Sequence, residues 1–488
     1  MRRTPNMNKL AKKDQARLES WKKKAIQRRE MLNVQKKAIK SLRQSRGKWK
    51  QKYKAELGLR LQQQKQLAKY KELGYGGHKV RHHSYKSLII LLAIRMRCLG
   101  MISLRSCRQL LIIWQSMLEL ETGVPCINTI RNWEHKVGYY RLNQRGQKEE
   151  EYAIIVDESF CIGKQTLLLV LGVNLSVYQC KQSIDFESIQ VLGLGPRPYW
   201  KGEEIAQFLE GLKQRQYRIS YGVSDGGNNL IKAFKIKQIP RIEDCTHTFS
   251  KLIERHYKDD PVFKAFCKRY SLLNRQCCRS SFAVICPPKL RGDSRFLNLY
   301  PIADWADKNL KLLKDLKAKE PMNQWEEQAY AKLEWLKQYQ PLIEPLVALS
   351  RVMKACFKLL KQQGLSLASQ LEIEKILDEE QLPAFFDQGV RQYLQRNLAV
   401  LTQYDQVVCC SDIIESFFGK YKNQQKFNPA TGITPSCLRI ANYGKSIDEA
   451  AIIKILEQVK VVDLLDWQQM NLLETLSAKK KKLYKKCG

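Results

Sequence analysis

The 15 cysteines of this 488-residue chain include no Cys-x-x-Cys pair. A zinc ribbon needs thiolates at that spacing, so none is expected. The cysteines are odd in number and scattered, with adjacent pairs at Cys277-Cys278 and Cys409-Cys410. That usage fits reduced, mostly buried thiols in a cytosol better than a disulfide framework. Long apolar runs are also missing. The nearest, Leu88 to Ile94, falls far short of the roughly 20 residues that span a bilayer. The N-terminus is basic and polar, unlike a secretory signal. A cytoplasmic location and no membrane partner are therefore expected. Acidic residues are scarce: 48 Asp and Glu face 85 Lys and Arg, a net charge of +37. That balance points to a polyanionic partner, nucleic acid first.

What is present is a set of carboxylates at the ends of apolar runs. Tyr152 to Ser159 reads YAIIVDES. The first five residues favour a buried strand, and Asp157 and Glu158 follow it. A charge beside such a strand needs a partner or a metal, because burying it alone is costly. Tyr217 to Asn229, YRISYGVSDGGNN, repeats the pattern. A strand closes on Asp225, Gly226 and Gly227 free the backbone to turn, and Asn228 or Asn229 caps the next helix. Cys409 to Gln425, CCSDIIESFFGKYKNQQ, places Ser411 as an N-cap and Glu415 one turn into a helix, with Phe418, Tyr421 and Lys422 at helical spacing. Two strand-end acids and one helical acid can converge on one point. Hard cations such as Mg²⁺ take carboxylate oxygens, and two of them can clamp the attacking and leaving oxygens of a phosphodiester. Asp244, Asp412 and Glu158 are spare carboxylates for the same role.

On IIVDES, GVSDGG and SDIIESFFGKYK the chain resembles the DDE transposases of bacterial insertion sequences. Within them it is most similar to groups, such as Mutator-like elements, in which a helical insertion separates the second Asp from the Glu. The resemblance covers roughly residues 80–463. It implies a ribonuclease H-like core in which Asp157, Asp225 and Glu415 are catalytic and hold Mg²⁺ or Mn²⁺, two ions in all. It implies cutting at the ends of a mobile element and joining of the freed 3′-hydroxyl to target DNA. Lys422, seven residues past Glu415 on the same helix face, matches a lysine that contacts DNA in related recombinases, and Lys420 is grouped with it. Cys245 and His247 resemble a Cys/His pair of these transposases, but with one residue between them instead of two; His247 is expected near DNA. The implied partner is double-stranded DNA, the assembly a homodimer or larger, and the location bacterial and nucleoid-associated. The alternatives are a transposase-derived DNA-binding protein that does not cut, and a ribonuclease H-like nuclease or resolvase that cuts without joining.

The rest of the chain fits a multidomain α/β protein. Residues 1–76 form a basic arm: the first 80 residues carry 25 Lys and Arg against 5 Asp and Glu, with Pro5 the sole proline. Leu18, Ala25, Leu32 and Ile39 fall seven apart, with Trp21 and Leu42 at the partner position, a partial coiled-coil stripe. Gly74 to Gly77 is a hinge. Residues 80–147 read as a helix-turn-helix-like domain whose third helix carries Arg131, Asn132, His135 and Lys136; Arg131, Asn132 and Lys136 are its expected DNA contacts. Residues 150–256 and 409–428 supply a ribonuclease H-like mixed five-stranded sheet with helices. Its strands are expected to include Thr166–Leu175, Ile184–Leu192 and Ile239–Asp244. Residues 257–408 are an all-α insertion with no phosphate-binding glycine loop, and its tryptophans Trp305, Trp325 and Trp335 are expected mainly in its core. Residues 429–488 hold two helices, the first capped by Ser446, and a flexible lysine-rich tail.

Overall fold

The run Tyr152–Val156 is the start of the central strand of a five-stranded sheet. A computed structural model describes residues 77–117, 123–161, 165–181, 184–290, 296, 299–319, 321–425, 432–474 and 476–485, the stretch 46–65, and isolated positions between 20 and 43. The chain divides into two units, Met1–Gly77 and His78–Gly488.

In the first unit, residues 46–65 form a helix whose side chains are all exposed. Trp49, Tyr53, Leu57 and Leu61 recur at i, i+4 along it, so they share a stripe. Trp21, Leu32, Ile39 and Leu42 of the predicted seam are exposed. Leu18, Ala25 and residues 74–76 of the hinge lie outside the described residues.

The second unit begins with α1 (Ser87–Cys98), α2 (Leu104–Met117) and α3 (Ile127–Leu142). The sheet region follows: β1 (Glu151–Cys161), β2 (Gln165–Asn174), α4 (Leu175–Lys181), β3 (Ile189–Arg197), α5 (Gly202–Gln214), β4 (Arg218–Ser224), α6 (Asn228–Lys237) and β5 (Arg241–Glu243). The strand order is β3-β2-β1-β4-β5. β1 to β3 pair antiparallel, while β4 runs parallel to β1 and β5 parallel to β4. This mixed α/β sheet is compatible with a ribonuclease H-like core.

The pleat divides the core in two. Ala153 and Ile155 of β1 join Leu167, Leu169, Tyr221 and Val223 on one face. Tyr152, Ile154 and Val156 join Leu168, Val170 and the apolar sides of α5 and α6 on the other. Two strand expectations need correction. β1 does not end at the acids: its pairing with β2 continues from Asp157↔Leu169 to Cys161↔Gln165, so Asp157 sits inside the strand. β3 starts at Ile189, because Asp185 and Ser188 cap each other around a 3₁₀ turn, with Ser188 N donating to Asp185 Oδ1 at 2.8 Å, and hold the preceding residues out of the sheet. Gly227, not an asparagine, is the N-cap of α6.

Among the described residues, the region after β5 carries the helices α7 (Cys245–Tyr257), α8 (Pro261–Cys277), α9 (Leu299–Ala318), α10 (Gln324–Leu333), α11 (Gln340–Gln363), α12 (Leu367–Glu379) and α13 (Ala384–Leu401). Phe249 of α7 packs on Phe357 of α11 and on Phe386 and Tyr393 of α13, which ties α7 to the insertion. Trp305 is buried, and Trp335 packs against Phe266 and Tyr339. Trp325 is exposed and stacks on Phe282.

The chain then returns through α14 (Asp412–Gln425), a 3₁₀ segment Pro435–Asn442, α15 (Glu449–Gln458), α16 (Val461–Asn471) and α17 (Leu476–Lys485). Asp448, not Ser446, caps α15, and the described part of the lysine-rich tail is helical. Helices α1 to α3 do not stand apart from this C-terminal region. α3 lies against Pro435–Asn442, and a Cβ on Gly138 would overlap the Leu438 carbonyl, so glycine permits that approach. Arg97 of α1, Glu134 of α3 and Arg439 form a buried charge cluster, with Arg97 Nε 2.9 Å and Arg439 Nη1 4.0 Å from Glu134 Oε1.

Candidate active site

Asp157 points to the sheet face that α7 and α14 cover, because its odd position continues Ala153 and Ile155. Asp225 follows the last residue of β4, and its Oδ1 accepts the Gly227 amide at 2.9 Å, which closes the turn into α6. Glu415 lies in the first turn of α14 and is exposed. His247, in the first turn of α7, has its Nε2 3.3 Å from Glu415 Oε1.

These groups act on one another electrostatically, although among the described residues Asp157, Asp225 and Glu415 are not a set whose ligand atoms all lie within 4.8 Å of one another. Burial, then the neighbouring Asp225 charge, pushes the Asp157 carboxyl up to about 7, and Glu415 adds a smaller push in the same direction. Its Oδ1 accepts the Glu158 amide at 2.7 Å, which offsets part of that rise. The His247 imidazole is raised to about 9, first by its hydrogen bond to Glu415 and also by the charges of Asp244, Glu415 and Asp225. His247 is therefore an imidazolium at neutral pH.

The spare acids separate from this group for distinct reasons. Glu158 falls on the opposite side of the pleat from Asp157; burial and Asp225 raise it to about 7. Asp244 is 1% exposed and both its oxygens are used: Oδ1 accepts the His247 amide at 2.6 Å and Oδ2 accepts the Ser411 amide at 2.5 Å. It thus caps α7 and holds the start of α14 beside it. Asp412 is ion-paired with Lys361. Among the described residues, Asp244, Cys410 and Asp412 do bring ligand atoms within 4.8 Å of one another. With Asp244 committed to two amides and Asp412 to an ammonium, that group reads as a structural staple. Asp244→Ala should cost about 2–4 kcal/mol by orphaning two buried amides, read as a lower denaturation midpoint; an unchanged midpoint would contradict the staple.

Asp157, Asp225 and Glu415 offer only oxygen donors, the donor type that hard cations such as Mg²⁺ or Mn²⁺ take.

The expected DNA contacts fare differently. Lys422 is exposed. Lys420 is half-buried, with its ammonium 3.3 Å from the centre of the Phe186 ring and 5.7 Å from that of Tyr443, so it packs inward. Arg131 is exposed and Asn132 partly so, but Lys136 is only 7% exposed and His135 is pushed down to about 3 by burial. That stretch of α3 is committed to packing, which removes Lys136 from any phosphate in this conformation. Reading the sequence alone missed Lys251, one turn beyond His247 on α7; its only signal was the i, i+4 spacing.

No protein-family profile and no curated protein matches the sequence. Among solved structures, 14 chains match this one. One of them is the Drosophila P element transposase strand transfer complex, at a TM-score of 0.39 and 13% identity over 78% of this chain and 93% of that one. Likeness at that level settles neither the family nor the activity. No described helix is long and apolar enough to cross a membrane.

Proposed function

We propose that the chain is a DDE-type transposase that cuts the ends of a mobile DNA element and joins the 3′-hydroxyl to target DNA. What supports this reading is the placement of Asp157 in β1, Asp225 at the end of β4 and Glu415 at the start of α14, with burial, then Asp225 and Glu415, pushing up the Asp157 carboxyl, which is half-buried and reaches about 7. The net charge of +37 supports a nucleic-acid substrate. Two Mg²⁺ or Mn²⁺ ions, when bound, supply Lewis-acid polarisation and a water of lowered pKa.

The chain's own residues do the positioning. Asp157 is fixed by the pleat and by the Glu158 amide, and Asp225 by the Gly227 amide. Asp244 draws α7 and α14 together, so His247 reaches Glu415 and orients it. In the first reaction water adds across a P–O3′ bond: its oxygen bonds to phosphorus and the departing O3′ takes a proton. In the second, that hydroxyl attacks a target phosphodiester, one P–O bond forming as another breaks. Lys422, Arg131 and Asn132 are the surface groups for DNA. A homodimer or larger assembly through the basic arm accords with the exposed apolar stripe on the 46–65 helix.

The test is a Mg²⁺-dependent assay on DNA carrying the flanking element ends, with wild type beside Glu415→Gln. Cleaved and joined products from wild type, lost in the variant, are expected. Cleavage without joining would shift the reading to a nuclease or resolvase. Binding without cleavage by wild type would shift it to a DNA-binding protein that does not cut.

A further inference from the structure

An ammonium group from α7 lies against the turn after Asp225 without pairing to a carboxylate among the described residues. Lys251 lies on α7, one turn past His247. Its Nζ stands where a side chain on Gly226 would go, 2.6 Å from an ideal Cβ, and outside the adjoining residues Asp225 and Gly227 the other heavy atom within 4 Å of that Cβ is the Lys251 Cε. Gly226 thus makes the room that Lys251 fills. Lys251 is only partly exposed, held against the backbone next to the second acid.

Among the described residues, several other cations of this region are already paired. Lys361 pairs with Asp412. Arg241 and Arg396 both pair with Glu243, and Arg241 also donates to the Asp225 backbone carbonyl at 3.2 Å. Lys232 pairs with Glu203 and Lys237 with Glu210. Among the described residues Lys251 has no carboxylate within 4.0 Å, although Asp225 is the neighbour of the very glycine it touches. An ammonium held against the turn that follows Asp225, with no carboxylate paired to it, retains its hydrogen bonds for a ligand of opposite charge. In a site whose acids are committed to cations, that ligand is a phosphate of the substrate.

We propose that Lys251 binds a nonbridging oxygen of the DNA backbone at or next to the bond being cut, and that Gly226 is glycine to seat its ammonium there. This rests on the reading of the site as one that cuts DNA. The contact is a single charge-assisted one at a fixed place, so it aligns the strand with Asp157 and Asp225 instead of adding general affinity.

The test uses the full chain and end-containing duplexes, either unmodified or with one neutral methylphosphonate at successive positions around the cut. Lys251→Ala should raise KM about tenfold, the loss of one charge-assisted hydrogen bond, and lower the slope of log KM against log salt by about one. Lys251→Arg should restore both. Gly226→Ala keeps the charge but evicts the ammonium. The atom displaced is the free end of a flexible chain, so folding should be unaffected while KM rises as in Lys251→Ala. Because both changes act through one group, the double variant should be no worse than either single one. A methylphosphonate at one position should slow wild type and leave Lys251→Ala unaffected. Wild-type salt slope and KM in Lys251→Ala, or additive effects in the double variant, would overturn the assignment while the cutting activity stands. Failure of wild type itself to cut would overturn both.

Discussion

Asp157→Asn should abolish cleavage and, in the metal-free protein, raise stability. The first effect should be at least about 10³-fold, since one electrostatic group aimed at developing charge is already worth about 10²–10³. The second follows from the raised carboxyl. In the fold it titrates near 7 against an ordinary value of 3.8, with burial as the largest cause and Asp225 next. The native state therefore holds this proton over a range where the unfolded chain has released it. Stability falls as pH rises from about 4 to about 7 and then levels off. The full shift corresponds to at most about 4 kcal/mol. Asparagine carries no charge to desolvate, so the variant should exceed wild type in midpoint above about pH 7 and match it near pH 4. Mg²⁺ should raise the wild-type midpoint by binding only the folded site, and raise that of the variant much less. Paired unfolding curves at the two pH values, with and without Mg²⁺, check this. A variant less stable than wild type at neutral pH, or one that still cuts, would remove Asp157 from the centre of the site.

That opposition between stability and chemistry explains which parts of the site were legible in the sequence. A run of buried β-formers that stops on an acid breaks the local rule that strands bury apolar residues, and Asp157 and Asp225 both break it. Glu415 was visible because a helix carrying Phe418 and Tyr421 toward the core carries an acid one turn earlier. The choice of Asp157 over Glu158 came from the family resemblance and not from hydrophobicity. Hydrophobicity marks where a run ends, whereas the pleat decides which of two adjacent acids faces α7, and that depends on the β1–β2 register. The role of Asp244 was hidden because its second amide, Ser411, comes from a segment far along the chain. The misplacement of Lys136 and Lys420 has the same origin. Both look like solvated surface cations, yet Lys136 is buried on the side of α3 that faces His83 and Asp463, and Lys420 lies over Phe186 and Tyr443. A local pattern cannot report a cover supplied hundreds of residues away. Lys251 escaped because lysine on a helix is ordinarily solvated, and its position depends on an empty space at Gly226.

The same long-range cover sets up the largest stability effect outside the site. Glu134 is 2% exposed and faces two guanidiniums that are themselves buried, Arg97 at 3% and Arg439 at 6%. Arg97 donates to both Glu134 oxygens, Nε at 2.9 Å and Nη2 at 3.3 Å, and its Nη1 donates to the Ile102 carbonyl. One carboxylate thus serves two cations, and no surplus of acid stands ready to replace it. Glu134→Ala should cost about 3–5 kcal/mol, the range for removing one partner of a buried pair, because it leaves two like charges desolvated together. The opposite design should cost little. Replacing all three, Glu134→Leu with Arg97→Met and Arg439→Met, removes the charges along with the need to pair them, and should return most of the loss. Equilibrium urea unfolding of the two variants beside wild type separates the cases. If Glu134→Ala loses less than about 1 kcal/mol, the cluster is solvated and belongs with ordinary surface pairs. If the triple replacement is as damaged as the single one, the triad's hydrogen bonds, not its unpaired charge, fasten the N-terminal helices to the segment that closes over them.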